Sequence, residues 1–205
     1  MKKKIIIILS ITVILAIFLI FILVPKNKNN NTNDFETFKV EYEELKGKDS
    51  GNGNNHIDVS IPLNNKIKYV TVDDLMDFKD YKSSFILFVG NASCEYCRSI
   101  AEIIVDVVSS TKIENIFYLK TDDVDFKKIV DIFGEKYNED NLKDGAVLFI
   151  IDGEVVSYNF KTVRSHKNPY IKLDSSQERG LKSIYKAGVD IIIEDIAIKN
   201  SAIND

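Results

Sequence analysis

Tryptophan is absent from this chain of 205 residues, and it has only two cysteines, two histidines and three prolines. Two cysteines cannot build the multi-bridge framework that holds small secreted domains together, so the fold must rest on an apolar core. With His56 and His166 as the only imidazoles, far in sequence from the cysteines, the paired short spacings that mark a zinc site are missing. No small-x-small cleavage site and no lipobox cysteine follow the apolar run at the amino end, which closes on Phe21, Ile22, Leu23, Val24 and Pro25. An excess of positive charge is lacking too. Setting aside Lys2, Lys3 and Lys4 leaves 24 of the 27 basic residues against 31 acidic ones, a balance of −7. That excludes nucleic acid and anionic lipid as natural partners of the polar part.

What is present begins with the uncharged stretch from Ile5 to Val24. Twenty helical residues at about 1.5 Å each span roughly 30 Å, the thickness of a bilayer's hydrocarbon. Residues 1–25 are therefore expected to be an uncleaved transmembrane signal anchor. The three leading lysines keep the amino end in the cytoplasm, and the rest of the chain is expected outside the cell membrane. Residues 26–65 read as a linker with a short amphipathic helix, on which Phe35, Phe38, Tyr42 and Leu45 recur at helical spacing. Residues 66–205 read as one α/β domain.

Within that domain, strands are expected at 67–70, 85–89, 116–119, 146–151 and 154–160. Thr71 and Asp74 form a capping box before one helix. Ile100, Ile103, Ile104, Val107 and Val108 make the buried stripe of the next. Phe126, Ile129, Val130 and Phe133 line a third helix, which Gly134 stops. Asp152-Gly153 between two apolar runs signals a hairpin, and Ser175 with Glu178 is expected to open a terminal helix. The order β-α-β-α-β-α-β-β-α predicts a mixed central sheet with helices on both faces.

The chemistry lies in Ser93-Cys94-Glu95-Tyr96-Cys97-Arg98, which follows the buried strand at 85–89. With Ser93 as helix N-cap, Cys94 stands at the first helical position. There, free N–H groups and the helix dipole favour a thiolate. Cys97 falls on the apolar stripe and is expected to be half buried. Cys94 is thus the candidate nucleophile and Cys97 the resolving thiol, with Arg98 adding positive potential and Glu95 opposing it. Half a zinc site and two inert cysteines are the competing readings of the pair. Asp122, Asp123 and Asp125 read as caps of the following helix rather than metal ligands, His166 as a loop residue, and Tyr96 either as part of a substrate-facing surface or as an ordinary exposed tyrosine beside a helix end.

The strand-CxxC-helix unit, the Asp-Gly hairpin and the terminal helix resemble the thioredoxin superfamily over residues 66–195. Gly90 after the strand, the Cys-x-Tyr-Cys-Arg motif, Tyr118 to Asp122 and Asn168-Pro169-Tyr170 look like the bacteriocin transport accessory proteins of Gram-positive bacteria. The resemblance implies a thioredoxin-like fold with Cys94 and Cys97 as a redox-active pair. It implies no cofactor and no metal, and its partners are protein thiols and disulfides outside the cytoplasmic membrane. Three positions depart from the pattern: Ser93 replaces a tryptophan, Phe88 a buried aspartate, and Gly145 a cis-proline. A non-catalytic accessory or binding module of an export or cell-envelope system is the alternative that these departures keep open.

Overall fold

The computed structural model describes residues 33–204, apart from Asn52 and Arg164. The expected anchor at 1–25 and the first part of the expected linker lie outside the described residues. Residues Asn33–Asp205 form one compact unit. Its elements are α1 (Asp34–Glu43), β1 (Ile67–Tyr69), α2 (Val72–Asp80), β2 (Phe85–Gly90), α3 (Glu95–Ser109), β3 (Ile116–Lys120), α4 (Phe126–Phe133), α5 (Glu139–Leu142), β4 (Ala146–Ile151), β5 (Glu154–Phe160) and α6 (Ser175–Asn204). Two single 3₁₀ turns, Thr121–Asp123 and Glu135–Tyr137, flank α4.

The five strands form one sheet in the order β1-β3-β2-β4-β5. β1 and β2 run parallel to β3, whereas β4 runs antiparallel to β2 and β5 antiparallel to β4. The architecture is therefore α/β with a mixed five-stranded sheet. Central strand β2 is buried at all six positions, as its unbroken apolar run requires. Strand pleating sends alternate residues to opposite faces. Ile86 and Phe88 join the core beneath α1, α3 and α6, while Phe85, Leu87 and Val89 join the core beneath α2, α4 and α5.

Local signals in the chain account for most of the element ends. Thr71 accepts from the Asp74 N–H while the Asp74 carboxylate accepts from the Thr71 N–H, closing the expected capping box. Gly134 stops α4 at φ +98°. Asp152 and Gly153 both take positive φ, the geometry that two-residue hairpins need. Helix α6 starts with a different box from the expected one. Asp174 accepts from the Ser176 and Gln177 N–H groups, and Gln177 Oε1 accepts from the Asp174 N–H. An acidic oxygen one residue upstream outcompetes the Ser175 hydroxyl for the same donors.

Residues 34–65, expected as part of a linker, supply much of one face of the core. Phe38 and Tyr42 on α1 are fully buried, and Ile57, Val59 and Ile61 follow them inward. The ring of Phe38 meets Phe88 and Tyr118 edge-on, and Tyr69 packs on Tyr118 as well. Buried aromatic surface of this size drives α1 onto the sheet.

Candidate redox site

Strand β2 ends at Gly90, and a turn organised by Asn91 leads into α3. Asn91 Oδ1 accepts from the Ser93 N–H at 3.0 Å, the Ser93 hydroxyl at 2.8 Å and the Cys94 N–H at 2.9 Å. Its amide donates to Thr121 Oγ1 at 2.8 Å, which fixes the turn against the chain after β3. With Ser93 occupied in this way, the N-cap of α3 is Cys94 and not Ser93. Cys94 has extended backbone angles, φ −81° and ψ 118°, and its Sγ accepts from the Cys97 N–H at 3.1 Å. The sulfur thus stands where a capping oxygen usually does, facing the free N–H groups of the first turn.

Cys94 and Cys97 are joined by a disulfide, with their Cα atoms 5.2 Å apart. Cys94 is partly exposed. Cys97 is completely buried, more deeply than the expected half burial, and the reason is two glycines. A β-carbon on Gly90 would lie 3.0 Å from Cys97 Sγ, and one on Gly145 would lie 3.1 Å from it. Gly145 has φ +93°, a conformation open to glycine. Its N–H donates to Leu142 O at 3.0 Å, and its carbonyl accepts from the Lys161 N–H at 2.6 Å. No cis peptide occurs among the described residues. Phe88 and Ile100 belong to the same apolar surroundings, so Cys97 lies among hydrocarbon and glycine backbone.

Glu95 and Arg98 do not pair with each other by hydrogen bonds. Both turn inward against a strap, residues 56–62, that crosses the first turns of α3. Glu95 is buried, with Oε1 paired to His56 Nδ1 and Oε2 accepting from the Ile57 N–H at 3.2 Å. The Arg98 guanidinium is fully buried. It donates from Nε and Nη2 to Ile57 O at 2.9 and 2.8 Å, and from Nη1 to Ala92 O at 2.9 Å. Burial lowers its pKa, and the nearby Glu95 charge works against that fall. The peptide units on either side of Ile57 thus serve both charged side chains of the motif. The strap was not legible as part of the site. Its signal was the period-two run Ile57, Val59, Ile61 with a histidine directly before it.

On the other side of the cysteines, the Tyr96 ring meets His166 edge-on at 6.2 Å between centroids. Lys161 Nζ lies 5.9 Å from the Tyr96 ring centre and pairs with Asp144 at 2.7 Å. His166 is buried, its Nε2 has no hydrogen-bond partner, and burial pushes its pKa down against the opposing pull of Asp174. It is a loop residue, as expected, and the loop packs it beside the motif. Asp125 caps α4 by accepting from the Lys127 N–H, and Asp122 lies near Lys120. Among the described residues, no cluster of three or more histidine, cysteine or acidic side chains is arranged to hold a metal ion. No helix among the described residues is long and apolar enough to cross a membrane.

No protein-family profile matches this chain, and no curated protein matches it in sequence.

Proposed function

We propose that the chain is a membrane-tethered, extracytoplasmic thiol–disulfide oxidoreductase of thioredoxin-like fold, acting on protein thiols and disulfides through Cys94 and Cys97. The observation that carries this reading is the asymmetry of the pair. Cys94 is partly exposed and its sulfur accepts an N–H at a helix start, whereas Cys97, one turn on, is fully enclosed. A central strand that ends at the motif supports the thioredoxin-like fold, as does a hairpin whose first strand starts beside Cys97. The uncharged run Ile5 to Val24 behind three lysines supports the tether.

In the reducing direction, the Cys94 thiolate attacks one sulfur of a substrate disulfide. A mixed disulfide forms, and the other substrate sulfur leaves as a thiolate that takes a proton. Cys97 then loses its proton and attacks Cys94 Sγ, which expels the second substrate thiolate. The substrate gains two electrons and two protons, and the protein is left as the Cys94–Cys97 disulfide. An external dithiol returns it to the reduced form, and the oxidising direction is the reverse.

The test uses the full-length chain in detergent, equilibrated in dithiol buffers of graded potential and followed by thiol alkylation. The pair is expected to pass between zero and two free thiols within the accessible range. A Cys97→Ser variant is expected to retain partners as mixed disulfides that Cys94→Ser does not. A pair that stays in one state at every potential overturns the reading. A second reading, a binding module, draws on the surroundings of Cys97, where Phe88 and Gly145 stand in place of the expected aspartate and proline. Its mark is a set of partners retained by the Cys94→Ser, Cys97→Ser double variant.

A further inference from the structure

A carboxylate directly after the attacking cysteine is a poor neighbour for a thiolate, yet Glu95 occupies that position. The chain turns it away from solvent and engages both of its oxygens with the strap. We propose that His56 is a positioning residue of the redox pair: by holding and charge-compensating Glu95, it sets how strongly the first turn of α3 stabilises a thiolate at Cys94. This rests on the thiol-exchange reading and deepens it.

The network is built for such a role. His56 and Glu95 are both more than nine-tenths buried, so their interaction is weakly screened by water. The His56 N–H is bonded to Lys48 O at 3.0 Å, which anchors the strap to the turn after α1. The charged groups facing this turn are few. Glu95 and Arg98 come from α3, and His56 and Asp58 from the strap, with Asp58 paired to Lys46 at 3.2 Å. On the Tyr96 side, His166 meets the ring edge-on, and Lys161 and Asp144 pair with each other. Glu95 and Arg98 cancel in formal charge, so His56, held against Glu95, is the group whose replacement by a neutral or a cationic side chain shifts the balance of the turn beneath Cys94. Losing either partner of the pair therefore has opposite consequences. Glu95→Gln removes the negative charge and favours the thiolate. His56→Gln keeps a donor for Oε1 but cannot carry charge, and disfavours it.

The measurement is the pH titration of thiolate absorbance in the reduced full-length chain. Glu95→Gln is expected to raise the acid ionisation constant of Cys94 and His56→Gln to lower it, each by roughly three- to thirtyfold. The double variant is expected to return towards the natural protein. A merely structural role moves both single variants the same way, and that result, or no shift in either, overturns the proposal. If Glu95→Gln does not fold, the comparison of His56→Gln with His56→Lys decides alone. Restoring a cation must recover the natural titration, and failure to do so overturns the proposal. A pair that titrates as expected but exchanges with no disulfide overturns the parent reading and leaves this one standing.

Discussion

Cys97 and the two glycines that enclose it show how tightly single residues are constrained here. Apolar surroundings hold a thiol in its protonated form, whereas a sulfur at a helix start is drawn towards the thiolate. The same helix turn therefore gives Cys94 and Cys97 different surroundings, and it is on this contrast that the proposed division into attacking and resolving thiol rests. The enclosure leaves no room. In a Gly145→Ala variant the new methyl would sit 3.1 Å from both Cys97 Sγ and Ile100 Cδ1, at a backbone φ of +93° that alanine resists. Urea denaturation of the oxidised protein is expected to show a loss of about 1–3 kcal/mol. A loss below a few tenths would mean that the hairpin backs away from the sulfur easily.

At the scale of the element, α6 carries two glycines with opposite demands. Gly180 has open space around it, so Gly180→Ala is expected to stabilise the protein by about 0.5–1 kcal/mol through helix propensity. Gly188 faces Phe149, whose ring atoms would lie 2.5 Å from an added β-carbon. There the same substitution must push the helix off β4 or displace the ring, and a loss of about 1–3 kcal/mol is expected despite the propensity gain. Thermal unfolding of the two variants side by side checks the contrast in sign. Nothing in the chain pattern separates these glycines, because the difference lies in what packs opposite. The elements that were legible have their causes in adjacent residues: the Thr71–Asp74 box, the Asp152-Gly153 turn and the stripe from Ile100 to Val108. The N-cap of α3 was misplaced because Ser93 is the better oxygen cap by type. Asn91 takes the Ser93 hydroxyl and N–H, and only the folded turn reveals it. The strap went unread for a similar reason. Its three apolar residues gain meaning from Glu95 and Arg98, some 40 residues further along the chain.

For the molecule as a whole, the core face formed by α1, α3 and α6 is sealed by tyrosines whose hydroxyls are out of water. Tyr42 on α1 and Tyr118 on β3 lie hydroxyl to hydroxyl at 3.4 Å, and Tyr118 donates to Gly90 O at 2.9 Å, beside the Cys94–Cys97 disulfide. Tyr185 on α6 is fully buried on the same face. Burial pushes all three phenols well above the ordinary value near 10, because a phenolate there would lose its hydration. In the unfolded chain these groups give up protons near pH 10, whereas in the folded protein they keep them. Above that pH the unfolded state binds fewer protons than the native one, so stability falls as pH rises, and below it the full contribution is present. Each phenol removes about 1.4 kcal/mol per pH unit, roughly 4 kcal/mol per unit for the three. Against a typical domain stability of about 5–15 kcal/mol, cooperative unfolding is expected about one to three units above pH 10. Far-ultraviolet circular dichroism across an alkaline titration measures it. The slope of stability against pH should become shallower by about 1.4 kcal/mol per unit in Tyr42→Phe, since one linked proton is gone. An unchanged slope would mean that α1 detaches before the rest of the fold, and that the core face it covers opens independently of the sheet.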